Sequence, residues 1–269
     1  MDRRFVKVEK GLGPQGRVAV VRFDRGDNIN ALSQQAMREL RDIPRDFEDD
    51  LETSVVILTG SAKAFCAGFD LKDPEGRQRD GLSVGERIHR QRLGPKMCKA
   101  WQDMDQVTIA AIEGHCIGGG AALVVSLDFR TCGKSAHFRI PEVELGMNMS
   151  WGSIPRMLAL MGPARTKQAV ILASDRVSSA EALDWGLVEN VVADGQALAE
   201  SMAFAERIAR QPPIPVRMSK ASVNRLAHAL DDLAAHMDAD QNVLTGLTED
   251  YKEGTSAFRE KRKPVFKGR

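Results

Sequence analysis

Thr108-Ile109-Ala110-Ala111-Ile112-Glu113, followed at once by Gly114-His115-Cys116-Ile117-Gly118-Gly119-Gly120, is the stretch on which the fold turns. The first six residues read as a buried strand, a short apolar run ended by glycine. The three adjacent glycines open an apolar segment that reads as a helix ending near Leu127. Glycines at a helix start let a ligand approach the backbone with no Cβ in the way. A helix N-terminus adds N–H groups without intrahelical acceptors and a partial positive charge. On spacing alone the plainer reading, a tight turn packed against a sheet, is the stronger one. The GxGxxG spacing of a dinucleotide fold is missing, and no GxxxxGK[ST] phosphate loop occurs in the chain.

Working outward, the same arrangement recurs upstream. Ser54–Thr59 reads as a buried strand closed by Gly60, and Ala64-Phe65-Cys66-Ala67-Gly68-Phe69-Asp70-Leu71 follows as an extended segment broken by Gly68. Before it, Phe5–Val8 and Arg17–Phe23 form a hairpin-like pair. Ser33 caps a helix running toward Asp49 with Met37, Leu40 and Phe47 on its inner face. Lys72–Ser83 is polar and reads as a mobile surface loop, a common place for a substrate lid. A helix is expected from about Val84 to Met104. After the glycines come short strands at Phe129–Cys132, Ala136–Arg139 and Leu187–Val192. Helices are expected at Ile154–Leu160, Arg165–Ala173, Ser179–Trp185, Ala197–Arg210 and from about Val216 toward Leu244. Strand–strand–helix units of this kind stack as turns of a spiral, an α/β pattern by alternation. The chain divides into a core over residues 1–195 and a helical region over 196–269.

The 269 residues suit one large domain with a sizeable core. Lys+Arg (38) and Asp+Glu (37) nearly balance, so bulk charge points to neither nucleic acid nor an anionic membrane. Cys66, Cys98, Cys116 and Cys132 form no CxxC pair and no zinc-type spacing, and scattered thiols fit a reducing compartment. The start MDRRFVKVEK has no apolar stretch after its charges, and Ile117–Leu127 is too short to span a bilayer. A cytoplasmic location is therefore expected.

AFCAGFDL, AIEGHCIGGGAAL, SLDFRTC, FRIPEVELGM and EGTSAFREKRKPVF resemble, in order, the successive signatures of the crotonase (enoyl-CoA hydratase/isomerase) family, over about Arg17 to Phe266. The resemblance implies a spiral of ββα units with a helical C-terminal trimerisation region, an acyl-CoA substrate, and a homotrimer or dimer of trimers. It implies no cofactor, coenzyme A being part of the substrate, and no metal. It implies that the peptide N–H groups of Phe69 and Gly119 hold the thioester oxygen. The physics agrees: removing a proton beside a thioester makes an enolate, whose oxygen charge preorganised donors stabilise more than the neutral ground state. Ala67 and Asp70 flank the first donor; Asp70 and Asp128 read mainly as fixing local backbone.

Family hydratases use two glutamates around a water. One belongs to the pattern GGGxE, where this chain has Ala122; the other is in the PE segment, here Glu142. A single carboxylate fits removing a proton at one carbon and returning it further along, as family isomerases do. Glu142 is therefore the candidate general base and acid. Dienoyl-CoA isomerases and an aromatic-acyl-CoA dehalogenase resemble the chain but carry aspartate where Ser150 stands. Trp151 reads equally as a wall around the acyl chain or as core packing. Glu144 reads as salt-bridged or solvated, His89 and Arg92 as a solvated helix face, and His115 as packing or a subunit contact. The resemblance places Lys63, Phe258 and Lys261 at the CoA moiety, while Arg259–Lys263 reads equally as a solvated basic helix end. Other reactions of the fold (decarboxylation, hydrolysis, retro-aldol cleavage) and a non-catalytic acyl-CoA-binding subunit are the alternatives.

Overall fold

The computed structural model describes residues 3–77, 81–173 and 175–269. Six strands form the larger sheet in the order β1 (Val6–Leu12), β2 (Val18–Phe23), β3 (Val55–Thr59), β5 (Val107–Ile112), β7 (Phe129–Gly133) and β10 (Asn190–Val192). Four form the smaller one in the order β4 (Ala64–Cys66), β6 (His115–Ile117), β8 (His137–Arg139) and β9 (Val177–Ser178). β1 and β2 make an antiparallel hairpin, and from β2 onward the larger sheet is parallel. β4, β6 and β8 are also parallel. Each of β3, β5 and β7 is followed by a strand of the smaller sheet, and both sheets keep the same order. The chain thus winds as the expected spiral, each turn handing one strand to each sheet.

The helices are α1 (Gln34–Asp42), α2 (Pro74–Arg77), α3 (Val84–Gln91), α4 (Leu93–Gln102), α5 (Gly119–Val124), α6 (Ser153–Ile171), α7 (Ser179–Asp184), α8 (Ala197–Ala209), α9 (Pro213–Ala227), α10 (Asp231–Ala235), α11 (Asp238–Thr245) and α12 (Glu249–Glu260). β3 and β5 are buried along their whole length because helices cover both faces. Alternate residues serve the two sides. Val56, Leu58, Ala110 and Ile112 face the cluster holding Leu40, Trp101 and Leu123, while Val55, Ile57, Ile109 and Ala111 meet Ala197, Ala205 and Ala209 of α8. The division at residue 195 is therefore no break in packing, since α8 seals the sheet.

Several elements are shorter than their sequences predict, each for a local reason. α1 has its Ser33 cap but stops at Asp42, ahead of Pro44, and Phe47 is buried from a separate short turn. The helix expected over 84–104 divides into α3 and α4 at Arg92, just before Gly94 and Pro95. The long helix expected after Val216 divides into α9, α10 and α11. Part of the segment expected to be a loop, Pro74–Arg77, is helical; residues 78–80 of that segment lie outside the described residues.

Candidate active site

Two strand ends of the smaller sheet deliver the glycine segments to one place. β4 and β6 pair side by side, and a Cβ on Gly68 (φ +83°) would lie 2.8 Å from the Ile117 carbonyl oxygen and 3.4 Å from the Gly119 nitrogen. The two junctions are thus in contact, which only glycine permits at position 68. Leu32 N–H donates to Gly68 O (2.7 Å) and Asp70 N–H donates to Leu32 O (3.0 Å). Successive peptides of an extended segment face opposite ways, so the Phe69 N–H between them points away from Leu32. Gly119 opens α5, so its N–H has no intrahelical acceptor. Among the described residues neither N–H meets an acceptor. α1 holds this loop through its first turn: Ser33 Oγ accepts from Ala36 N–H (3.2 Å), and Asp73 Oδ2 accepts from Gln34 N–H (2.7 Å). Asp70 pairs with Arg25 at 2.7 Å, a backbone-fixing position.

Glu142 approaches from the other side. A Cβ on Gly118 (φ +51°) would lie 2.7 Å from Glu142 Oε1, so that carboxyl rests on the glycine before the Gly119 amide. Its Oε2 is buried with no hydrogen-bond partner. Burial pushes the carboxyl up to about 7, against the opposing pull of the Arg139 guanidinium. Arg139 is itself paired with Glu144, as expected for that second carboxylate. A short turn over Val143–Leu145 sets the position, with Leu145 and Met147 N–H groups donating to Glu142 O at 3.1 and 2.8 Å. α12 backs that turn directly. A Cβ on Gly254 would sit 2.7 Å from the Leu145 backbone, and one on Gly146 would sit 2.7 Å from the Asp250–Tyr251 backbone.

Ala122 is wholly buried one turn into α5, its N–H donating to Gly118 O (2.9 Å). Ser150 is also buried, and its carbonyl accepts from Ser153 N–H and Oγ. The Trp151 indole lies against Gly119 and Gly94. The Phe69 ring reaches Gly76, and Ala67, just past the end of β4, is half-buried. Lys63, Phe258 and Lys261 are exposed; Lys261 ends α12 in left-handed backbone. His89 and Arg92 are exposed, His115 contacts Ile29 O at 3.3 Å, and Asp128 accepts from Thr108 and pairs with Lys220. Sequence reasoning missed Leu32, Gly94, Asp73 and the α12 support. Gly94 is the one with a signal, an isolated glycine within an otherwise helical pattern.

Two sheets wound in step by one spiral, with a helical C-terminal region, are the architecture of the crotonase-fold enzymes. Residues 13–269 match the enoyl-CoA hydratase/isomerase family, and the chain belongs to it. Crotonyl-CoA hydratase of Syntrophomonas wolfei is 34% identical over 256 residues, which cover 95% of this chain and 96% of that protein. Short-chain-enoyl-CoA hydratase of Clostridium acetobutylicum is 32% identical, with 98% and 97% covered. Among solved structures, carnitinyl-CoA hydratase of Mycobacterium avium superposes over 100% of both chains with a TM-score of 0.84 at 29% identity. Enoyl-CoA hydratase of Bacillus anthracis gives 0.75 at 31% identity, covering 98% of this chain and 99% of that one. No helix among the described residues is long and apolar enough to cross a membrane.

Proposed function

We propose that the chain moves a proton on an enoyl-CoA thioester through an enolate, with Glu142 as the one acid–base group. The observation that carries this reading is the Glu142 carboxyl, with Oε1 against Gly118 and a buried, unpartnered Oε2, beside the free Gly119 amide. The thioester oxygen accepts from the N–H groups of Phe69 and Gly119. Glu142 removes a proton from the carbon next to the carbonyl, and the electron pair of that C–H bond moves into the enolate. Glu142 then returns the proton two carbons further along, which shifts the double bond with no net change in atoms or charge. Each amide donor contributes about 3 kcal/mol of barrier lowering, and the base a further hundredfold or more, roughly. The buried methyl of Ala122, where a second carboxylate would hold a water, supports isomerisation. The hydratase names of the relatives favour a second reading, hydration by Glu142 with a bound water. On either reading the chain needs no cofactor beyond the CoA of its substrate.

The test is turnover of enoyl-CoA thioesters with the double bond at either position, in wild type, Glu142→Gln and Ala122→Glu. Glu142→Gln is expected to lose at least about a hundredfold in kcat while acyl-CoA binding persists. Ala122→Glu is expected to raise hydration relative to isomerisation. Undiminished turnover in Glu142→Gln removes that residue from the mechanism.

A further inference from the structure

The Trp151 indole occupies a slot made by two glycines. A Cβ at Gly94 would meet the ring at 2.1 Å and one at Gly119 at 2.5 Å, so α4 and α5 each lack a side chain where this ring sits. Trp151 reaches the slot from left-handed backbone (φ +64°), and Gly152 continues at +65°. Such backbone is unfavourable for a bulky residue by about 1–2 kcal/mol and persists only when its surroundings hold it. Here they do. The buried Arg156 guanidinium donates to Trp151 O at 2.9 Å, and Asp238 of α11, also buried, accepts from Gly152 N–H at 2.7 Å. Gln102 accepts from Arg156 Nε at 3.0 Å, which fixes the guanidinium in turn.

At Gly119 the ring adjoins Gly118 and the Glu142 carboxyl. Trp151 and Gly152 also line a cavity of about 790 Å³ between α4, α6, α9 and α10, which is lined by neither Gly119 nor Glu142. Trp101 shows what a packing tryptophan looks like in this fold: it is wholly buried, with its indole N–H donating to Leu40 O at 2.9 Å. Trp151 is only half-buried, and among the described residues its N–H has no acceptor.

We infer that Trp151 is the specificity-determining residue of the site. Its indole is a partition that ends the acyl pocket at the glycine pair and keeps the acyl group out of the cavity behind, so the substrate class is the compact acyl thioesters. This rests on the reading of Gly119 and Glu142 as the acyl-binding site. Arg156 and Asp238 are positioning residues for the partition.

The experiment compares wild type, W151G and W151F on two readouts. One is kcat/KM for crotonyl-CoA against dodecenoyl-CoA. The other is calorimetric binding of butanoyl-CoA against dodecanoyl-CoA, which needs no turnover. Wild type is expected to favour the short thioester in both. In W151G the long-to-short ratio rises about tenfold or more, the worth of burying about two of the eight extra methylenes. W151F, which keeps a ring in the slot, shows a smaller rise and carries the test if W151G does not fold. Ratios unchanged from wild type in both folded variants overturn the partition. If the binding ratio shifts in W151G while wild type turns over no enoyl thioester, the partition stands and the proton-transfer reading fails. If Glu142→Gln abolishes turnover but the ratios do not move, the partition alone fails.

Discussion

At Glu142 the balance between burial and charge sets both chemistry and stability. Burial pushes the carboxyl from an ordinary 4.5 up to about 7, so near neutrality it exists in both protonation states, as a group that takes and returns a proton must. The base is the ionised form, so kcat/KM is expected to rise with pH and level off above about 7, falling about tenfold per unit below it. A pH profile flat from 5 to 8 would exclude Glu142 as the base. The stability sign is opposite. The folded state holds this proton more tightly than the unfolded chain, so the contribution is complete below pH 4.5 and is lost as pH rises through about 7. The whole offset is worth up to about 3 kcal/mol. Melting curves of Glu142→Gln are thus expected to gain on wild type as pH rises across that window, and a constant difference would contradict the assigned burial.

Elements matter here through where they stop and what they back. α12 lies far along the chain from the Val143–Leu145 turn, yet Gly254 lets its backbone touch Leu145. A methyl group there must displace backbone, and overpacking of this kind costs about 1–3 kcal/mol. Gly254→Ala is therefore expected to lower the urea midpoint and to reduce kcat by shifting the turn that carries Glu142. A variant as stable and active as wild type would show that α12 is a passive neighbour. The element scale is also where sequence reading stopped short. The strands β3 and β5 were legible because buried apolar runs closed by glycine have few other readings. The split of 84–104 into α3 and α4 was not, because Gly94-Pro95 is tolerated near a helix start as well as at a break. β6, only three residues long, was hidden in the glycine segment that it delivers.

For the whole molecule, α9 is tied to the body by polar contacts rather than by a hydrophobic seam. Lys220 Nζ is buried against Gln106 O (2.6 Å) and Asp128 (2.7 Å), and Arg217 donates to Thr53 O (3.1 Å). Val216 packs against the cluster under α8, but most apolar side chains of α9 point outward: Leu226, and Leu230 and Leu233 just beyond, are 83%, 70% and 73% exposed. Exposed apolar surface on this scale is the kind that marks an interaction site. We propose that it is the contact of a homotrimer, or of a dimer of trimers. Light scattering is expected to give three or six times the chain mass, with Leu226→Arg shifting the population toward monomer. A wild-type chain that stays monomeric at micromolar concentration would refute the assembly.

The sequence by itself determined the class of fold, the two glycine segments, the PE carboxylate at Glu142 and the alanine at position 122. Those features are local, because backbone freedom and side-chain chemistry are written residue by residue. Only the tertiary structure decided that Leu32 and Asp73 hold the first amide's loop, that α12 backs the Glu142 turn, and that Trp151 fills a slot shared by Gly94 and Gly119. These are contacts between residues distant along the chain, and the free energy of a close contact depends on what lies on both sides of it. A glycine at position 94 or 254 has no functional reading until the ring or backbone that replaces its missing Cβ is in view.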